Sequence, residues 1–251
     1  AEIRLLGESL YFLTSKSTAL FANVDYHLNE QLKLTVGARY FEDDQTFDQA
    51  GRLPKSGTFD NLSPMASLSY AISDDASVYA SVAEGFRSGG FNFQTLGTEP
   101  RPDYDAETVR TYEIGAKALL LDGRLSTEAA LFYSQYLDYQ SSQLLVITDP
   151  TTPSIIANAG EAEIQGVEWA AQLSVTEQFS VGFSGNYTGA ELVKISATQQ
   201  KYVPGDPLDN TPKYSLSLNT KLDFEGPLDA AGFAGFDYNI QGGSVAVSAL
   251  R

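Results

Sequence analysis

The stretch Ser17-Thr-Ala-Leu-Phe-Ala-Asn-Val-Asp-Tyr-His-Leu28, then Asn29-Glu30, then Gln31-Leu-Lys-Leu-Thr-Val-Gly-Ala-Arg-Tyr40 decides the fold. In its first half Thr18, Leu20, Ala22, Val24, Tyr26 and Leu28 alternate with Ser17, Ala19, Phe21, Asn23, Asp25 and His27. In its second half Leu32, Leu34, Val36, Ala38 and Tyr40 alternate with Gln31, Lys33, Thr35, Gly37 and Arg39. One face is apolar and the other mostly polar, as a strand between two unlike environments requires. No apolar stripe at spacings of three and four fits either half. The pair reads as an antiparallel hairpin closed at Asn29-Glu30.

The same period continues outward from this hairpin. Leu62, Pro64, Ala66, Leu68, Tyr70 and Ile72 share a face, and after Ser73-Asp74-Asp75 so do Ala76, Val78, Ala80 and Val82. Tyr112, Ile114, Ala116, Ala118 and Leu120 lead into Asp122-Gly123, a strong hairpin signal, and Leu125, Thr127, Ala129, Leu131 and Tyr133 return. Val167, Trp169, Ala171, Leu173 and Val175 precede a turn at 176–178, followed by Phe179, Val181, Phe183, Gly185 and Tyr187. A last alternation runs through Tyr214, Leu216, Leu218, Leu222 and Phe224. Short turns at 29–30, 73–75, 122–123 and 176–178 alternate with long polar stretches near 42–60, 87–108, 138–162 and 190–212. The strands read as about 10–13 residues long, enough to cross a bilayer at a tilt and longer than the usual soluble strand. Short turns on one side and long loops on the other are the arrangement of an outer-membrane barrel. Aromatics near strand ends (Tyr26, Tyr40, Phe86, Tyr133, Phe179, Tyr214, Phe224) sit where interfacial girdles belong. The fold class is therefore all-β, an antiparallel transmembrane β-barrel of about ten or eleven strands. The charges Lys33, Arg39, Glu113, Lys117, Glu128, Glu168, Lys213 and Lys221 fall on the polar face, which becomes a wet lumen.

Composition agrees with this once the barrel is admitted. The chain has 251 residues, 43% hydrophobic and 19% charged, with a net charge of −16 and no cysteine. Its longest apolar runs, such as Ala118–Leu121, fall far short of the ~18–20 residues of a membrane helix. No signal peptide is visible at the N-terminus. The absence of cysteine excludes a disulfide framework and thiolate metal sites. The acidic balance argues against nucleic acid as a partner.

Four segments carry a family resemblance. Ala80-Ser-Val-Ala-Glu84-Gly85-Phe86-Arg87-Ser-Gly89-Gly90-Phe91-Asn92 leaves a strand for a loop. Glu107-Thr-Val-Arg-Thr-Tyr112-Glu113-Ile-Gly115-Ala-Lys117 follows it. Asn158-Ala-Gly160-Glu-Ala-Glu-Ile-Gln-Gly166-Val-Glu168 opens a later strand, and Val203-Pro204-Gly205-Asp-Pro207-Leu-Asp-Asn-Thr211-Pro212-Lys213 precedes the last alternation. In order and spacing, across roughly 17–224, they resemble the TonB-dependent outer-membrane receptors. The resemblance implies a barrel of 22 strands preceded by a plug domain and an energy-coupling box. This chain shows nothing like a plug, and it ends in Val245-Ala-Val-Ser-Ala-Leu-Arg251 without a terminal aromatic residue. On the resemblance, residues 1–251 are part of the receptor barrel, cut at both ends, with 1–16 an incoming loop or strand end and 225–251 truncated late strands.

The resemblance further implies uptake of a scarce nutrient, foremost a ferric siderophore, across the outer membrane of a Gram-negative bacterium. The implied partners are outer-membrane lipid, the nutrient ligand, and the TonB–ExbB–ExbD energy-coupling system acting through the plug. No enzyme activity, catalytic residue, metal site or cofactor is expected. Arg87, Phe91, Asn92 and Phe93 are candidate ligand residues lining the outer vestibule, where arginine meets an anionic chelate and aromatics stack on its flat groups. Local loop packing is the competing reading of the same residues. A self-contained small outer-membrane barrel with a structural or adhesive role is the alternative to a receptor.

Other residues carry bland readings. His27 is the single histidine, beside a short turn and without catalytic partners, so it reads as a polar lumen residue. Glu42-Asp43-Asp44 with Asp48 lacks the EF-hand spacing and reads as a solvated acidic loop. Asp74-Asp75 and Glu161/Glu163 show no apolar pocket that would tune a general acid. Gly85–Gly90 follows a strand without opening a helix, so its glycines serve a bend or bulge rather than a phosphate cradle. Leu144–Ile147 reads as a strand extension or a loop hairpin.

Overall fold

The computed structural model describes residues 2–6, 9–50, 53–92, 103–144, 154–196, 202–226 and 230–244. Thirteen strands form among them: β1 (Glu2–Leu6), β2 (Ser9–His27), β3 (Leu32–Gln49), β4 (Lys55–Ser73), β5 (Ala76–Arg87), β6 (Glu107–Leu120), β7 (Leu125–Leu137), β8 (Gln140–Leu144), β9 (Ser154–Asn158), β10 (Gly160–Ser174), β11 (Phe179–Ile195), β12 (Tyr214–Glu225) and β13 (Ala231–Gln241). Eleven build one sheet in the order β1-β2-β3-β4-β5-β6-β7-β10-β11-β12-β13, and β8 and β9 pair separately as a hairpin. All neighbours are antiparallel. The sheet is open, since β1 and β13 are not paired with one another among the described residues.

Register carries the alternation across the sheet. One row runs Tyr26, Leu34, Leu68, Ala80, Ile114, Leu131, Val167, Tyr187, Tyr214 through nine strands, without a charged side chain. Its members lie on one face, where Leu68, Ile114 and Leu131 are exposed for want of any protein to cover them. The row starts beside the short turn after β2 and ends at the first residue of β12, a drift of about one residue per strand. With a rise of ~3.3 Å and a strand spacing of ~4.8 Å this is a tilt of roughly 35°, inside the range of outer-membrane barrels. The opposite face carries Lys33, Arg39, Glu113, Lys117, Glu128, Glu168 and Lys221; Lys213 lies in the bend before β12.

Short turns close by local chemistry. The Asn29 side-chain oxygen accepts the amides of Gln31 at 2.9 Å and Leu32 at 2.8 Å, and the Thr176 hydroxyl accepts those of Gln178 and Phe179 at 3.2 and 3.0 Å. Asp122-Gly123 is not a two-residue loop. The last pair is Leu120 with Leu125, so the turn holds four residues, with Leu121, Asp122 and Gly123 all at positive φ.

Strand length departs from expectation. β2, β3 and β4 have 19, 18 and 19 residues and β11 has 17, because they continue beyond the apolar band into stretches expected to be loop. Residues 9–16 belong to β2, and most of 42–60 is the end of β3 and the start of β4. Along Glu42–Thr46 both faces are polar, which erases the contrast between them. The acidic run is thus strand rather than solvated loop. Glu42 and Asp44 share one face, while Asp43 is buried on the other and accepts the Ser15 hydroxyl at 2.5 Å.

The core also lies at this end. Ala159, Ala162, Leu192, Tyr202 and Leu208 form the buried cluster, with Leu192 fully inaccessible. The segment around Val203–Leu208 continues the sheet along β11: the amides of Gly205 and Leu208 donate to the carbonyls of Leu192 and Ala190, and the Leu192 amide to that of Asp206. Burial pushes the Tyr202 hydroxyl up, seconded by its hydrogen bond to Asp209 at 2.8 Å, and burial takes Tyr139 beside it to about 12.

Candidate functional site

Where the long connections gather, the polar face is roofed by the segment after β5 and by the β8–β9 hairpin. Gly89 and Gly90 bring the two legs of the β5–β6 connection together: Gly90 and Tyr104 exchange backbone hydrogen bonds at 2.9 and 3.0 Å. A Cβ on Gly89 would lie 2.5 Å from the Phe59 ring and from the Tyr104 carbonyl. These glycines answer to close approach of two backbones rather than to a bulge. The Gln45 amide donates to the Gly89 carbonyl at 3.2 Å, tying this connection to β3.

On its other side the connection is tied to the hairpin. The Gln140 side-chain amide donates to the carbonyls of Ser88 and Asp105, at 2.9 and 3.0 Å. The Asn158 side chain accepts the Asp105 amide at 2.8 Å and donates to the carbonyls of Asp105 and Asp138 at 3.0 and 2.8 Å. Glu107 is buried, accepts the Gln140 backbone amide at 2.5 Å and lies 4.0 Å from Arg87. Burial raises its carboxyl above the ordinary range, opposed by that amide and by Arg87.

The four residues expected to line the vestibule have unlike settings. Arg87 is exposed, with Glu107 its nearest carboxylate. Phe91 stacks at 6.3 Å on Phe47 and 6.5 Å from Phe59, with the Lys55 ammonium 6.0 Å from its centroid. Asn92 is 6% exposed; its side chain accepts the Ile156 amide at 2.9 Å and donates to the Ile156 carbonyl at 2.7 Å, as a neighbouring strand would. Phe93 lies outside the described residues. Gln140 and Asn158, which organise the roof, gave no sign in the sequence of the 53-residue reach from Asn158 to Asp105. β8 and β9 supply the loop hairpin expected at Leu144, while 145–147 lie outside the described residues.

Midway down the polar face, aromatic rings lie over glycines on the next strand. The Tyr79 ring occupies the space a Cβ on Gly115 would need, and its hydroxyl donates to Glu113 at 2.7 Å. Phe132 does the same over Gly166. Around Tyr79 stand Glu128 and Glu168, with Lys117 3.4 Å from Glu128. His27 pairs in register with Lys33, and Lys33 lies 3.9 Å from Asp25. Among the described residues no cluster of three potential metal ligands occurs.

A second grouping lies one residue below the level of Tyr40. Arg39 stands opposite Phe21 on β2 and Ser63 on β4, with its guanidinium 5.3 Å from the Phe41 ring centroid. Sequence reading treated Arg39 only as a lumen charge, and Phe21 as an apolar member of the polar face.

Residues 8–249 match the family model described as TonB dependent receptor-like, beta-barrel. The pesticin receptor of Yersinia pestis is 25% identical over 222 residues, 84% of this chain and 31% of that protein. A probable TonB-dependent siderophore receptor of Acinetobacter baumannii is 26% identical over 235 residues, 86% of this chain and 30% of that protein. The chain thus spans about a third of the length of the curated relatives it matches. Among solved structures, the ferric yersiniabactin uptake receptor of Yersinia pestis superposes with a TM-score of 0.75 at 21% identity, over 93% of this chain and 35% of that one.

Proposed function

Because this chain belongs to the TonB-dependent receptor-like β-barrel family, we propose that it forms part of the barrel wall of a receptor for TonB-energised uptake of a ferric siderophore. Its location is the outer membrane of a Gram-negative bacterium, and the family it joins consists of receptors and transporters rather than enzymes. The observation that carries the reading is the division of labour between the faces. An uncharged row crosses nine strands on the lipid side, while the other side is charged and roofed by long connections at one end only. A wall of this kind separates lipid from a hydrated path, and its roof is where a solute from outside makes first contact.

The ligand-contact role is assigned to Arg87, whose guanidinium is exposed and holds Glu107 only at 4.0 Å. The contact is long and its arginine is open to solvent, so an anionic chelate competes for the guanidinium. Phe91 and Asn92 serve that surface by fixing the loop that presents Arg87, and Phe93 joins them by its place in sequence. Lower in the lumen Glu113, Glu128 and Glu168 outnumber Lys117, and this acidic wall faces the plug of the whole receptor, through which TonB–ExbB–ExbD acts. β1, the first residues of β2 and β13 belong to the same barrel wall.

The experiment is deletion of the whole gene in its host under iron limitation, with uptake of radioactive iron presented as a panel of ferric chelates. Loss of at least one chelate's uptake, and abolition of that uptake in the parent by a protonophore, is expected. A deletion strain that takes up every chelate as its parent does overturns the reading.

A further inference from the structure

β4 and β5 pair only as far as Met65 opposite Ala83. Carried further, the same register would set Pro64, Ser63 and Leu62 against Glu84, Gly85 and Phe86, and none of these pairs forms. β4 instead stays with β3 as far as Lys55 opposite Phe47, and β5 stays with β6 as far as Arg87 opposite Glu107. The ladder stops at a proline, which has no amide hydrogen to give and is accepted in a strand where one side lacks a partner. Free space of about 680 Å³ lies there, with Ser63, Pro64 and Met65 on one side and Glu84, Gly85 and Phe86 on the other. The wall is slit from this level to its looped end.

The two sides of the slit are tied unequally to the roof. Among the described residues no backbone-to-backbone hydrogen bond crosses it beyond Met65. Side chains make the crossings: Lys55 with Asp103, Gln45 with the Gly89 carbonyl, Asp43 with Ser88, and the rings of Phe47 and Phe59 with Phe91. The Lys55–Asp103 pair is partly exposed, a setting in which ion pairs hold little. On the other side, residues 88–107 make seven hydrogen bonds with residues 140–158, and each has a backbone group at one end. Gly90 and Tyr104 join the two legs of the connection. The connection and the β8–β9 hairpin therefore hold together as one body, and the slit is its weak boundary.

We propose that the slit is a working seam. The end of β5, both legs of its connection and the β8–β9 hairpin swing as one body away from the β2–β3–β4 panel, hinged at the Met65–Ala83 pair, and a solute enters from the side. The assignment rests on the receptor reading above, since it supplies the solute. Opening along the seam strands little. When Ser88 leaves Asp43, that buried carboxylate keeps the Ser15 hydroxyl at 2.5 Å and the Gln45 amide at 2.7 Å. When Gln45 loses the Gly89 carbonyl, it keeps Asp43. Lifting the connection off the hairpin would instead leave backbone groups on both without partners, the costlier break. Leu62 stands opposite Tyr40 at the aromatic level, so most of the seam, from Leu62 to Lys55, lies beyond the hydrocarbon. Water there serves the backbone groups that the missing ladder leaves open.

The test ties the seam shut in the whole receptor, in its host, with the radioactive ferric chelates whose uptake the gene deletion abolishes. The 251 residues contain no cysteine, so introduced pairs are the only thiols along this wall. L62C with F86C, joined by a short bis-methanethiosulfonate, closes the seam at the wall, and K55C with D103C closes it at its outer end. Each linked variant should take up chelate at least about tenfold more slowly than before linking, and dithiothreitol should restore the rate. D44C with T58C, linked within the β2–β3–β4 panel, should stay within about twofold of its unlinked rate. Linked seam variants that transport as fast as unlinked ones overturn the proposal. Hydrogen exchange on the wild-type receptor in lipid vesicles needs no variant. Residues 88–92 and 103–106 should exchange at the common rate of 154–158; if they follow 41–47 and 55–61 instead, the seam is no boundary and the proposal falls. The receptor reading falls separately, if deletion of the gene leaves the uptake of every chelate unchanged.

Discussion

Glu107 and Asp43 are both buried carboxylates at the roofed end, and they titrate in opposite senses. Burial dominates at Glu107 and raises its carboxyl, with one amide and a distant arginine opposing it. At Asp43 burial also pushes upward, but hydrogen bonds from Ser15, Gln45 and Ser88 outweigh it and the carboxyl is lowered. A raised carboxyl contributes stability that is complete below the ordinary carboxylate range and vanishes as pH climbs through the raised value. A lowered one contributes above the ordinary range, and its share is lost as pH falls through the lowered value. Glu107→Gln, which keeps an acceptor for the Gln140 amide, is therefore expected to raise the urea midpoint at pH 7 and to lose that advantage near pH 4. Asp43→Asn should lower the midpoint at pH 7 and matter less as pH falls towards 3. Midpoints measured from pH 3 to pH 8 check both; parallel profiles for the two variants would contradict the assignment. Asn158 and Gly160 make a neighbouring case. Gly160 sits at φ +131° with the Lys194 carbonyl 2.1 Å from where a Cβ would be, so Gly160→Ala should cost about 3 kcal/mol or more. Asn158→Ala strands three backbone partners on two connections and should expose residues 103–106 and 138–140 to hydrogen exchange. An unchanged exchange rate there would mean that solvent already serves those groups.

At the level of elements, the hairpins were readable because each strand inside the apolar band separates lipid from water, and period two records that difference residue by residue. Tyr112, Ile114, Ala116 and Ala118 were placed on one face from sequence and lie there in register with Tyr133, Leu131, Ala129 and Thr127. Beyond the band the difference disappears. Glu42 and Asp44 face outward and Asp43 faces inward, but all three are acids, so β3 past Tyr40 looked like a loop. The candidate site suffered more. Arg87, Phe91 and Asn92 stood out by type, yet the partners that define them come from β6, from β3 and β4, and from the β8–β9 hairpin respectively, and no local pattern encodes such distant contacts. The face assignment gives a sharp test. Ile114→Lys puts an ammonium among Leu131 and Ala80 on the lipid side and should cost about 2–4 kcal/mol. Ser81→Lys, one row across on the wet face beside Glu113, should cost well under 1 kcal/mol. Urea unfolding of the two variants in lipid vesicles compares them directly, and equal losses would mean the faces are wrongly assigned.

For the whole molecule the decisive quantity is strand parity. Among the described residues the main sheet has eleven strands in simple up-and-down order, so its first and last members, β1 and β13, point the same way. Closing this sheet on itself would need a parallel seam, whereas bacterial single-chain barrels close with an even number of antiparallel strands. A seam left open in hydrocarbon exposes a row of amides and carbonyls, each costing several kcal/mol. The side chains argue the same way. At a tilt of roughly 35° a closed ring of eleven strands has a radius of about 10 Å, little room for a lumen once side chains are in place. Yet the inner face bears Tyr79, Phe132, three glutamates and a roof of two connections, which together need a wider bore. Residues 1–251 refolded alone into detergent are therefore expected to migrate identically with and without boiling and to remain open to protease along β1 and β13. The whole receptor that contains them should show the faster, compact band before boiling that a closed barrel gives. A compact heat-modifiable band from the 251-residue chain by itself would establish a small self-sufficient barrel and remove the shared-wall reading.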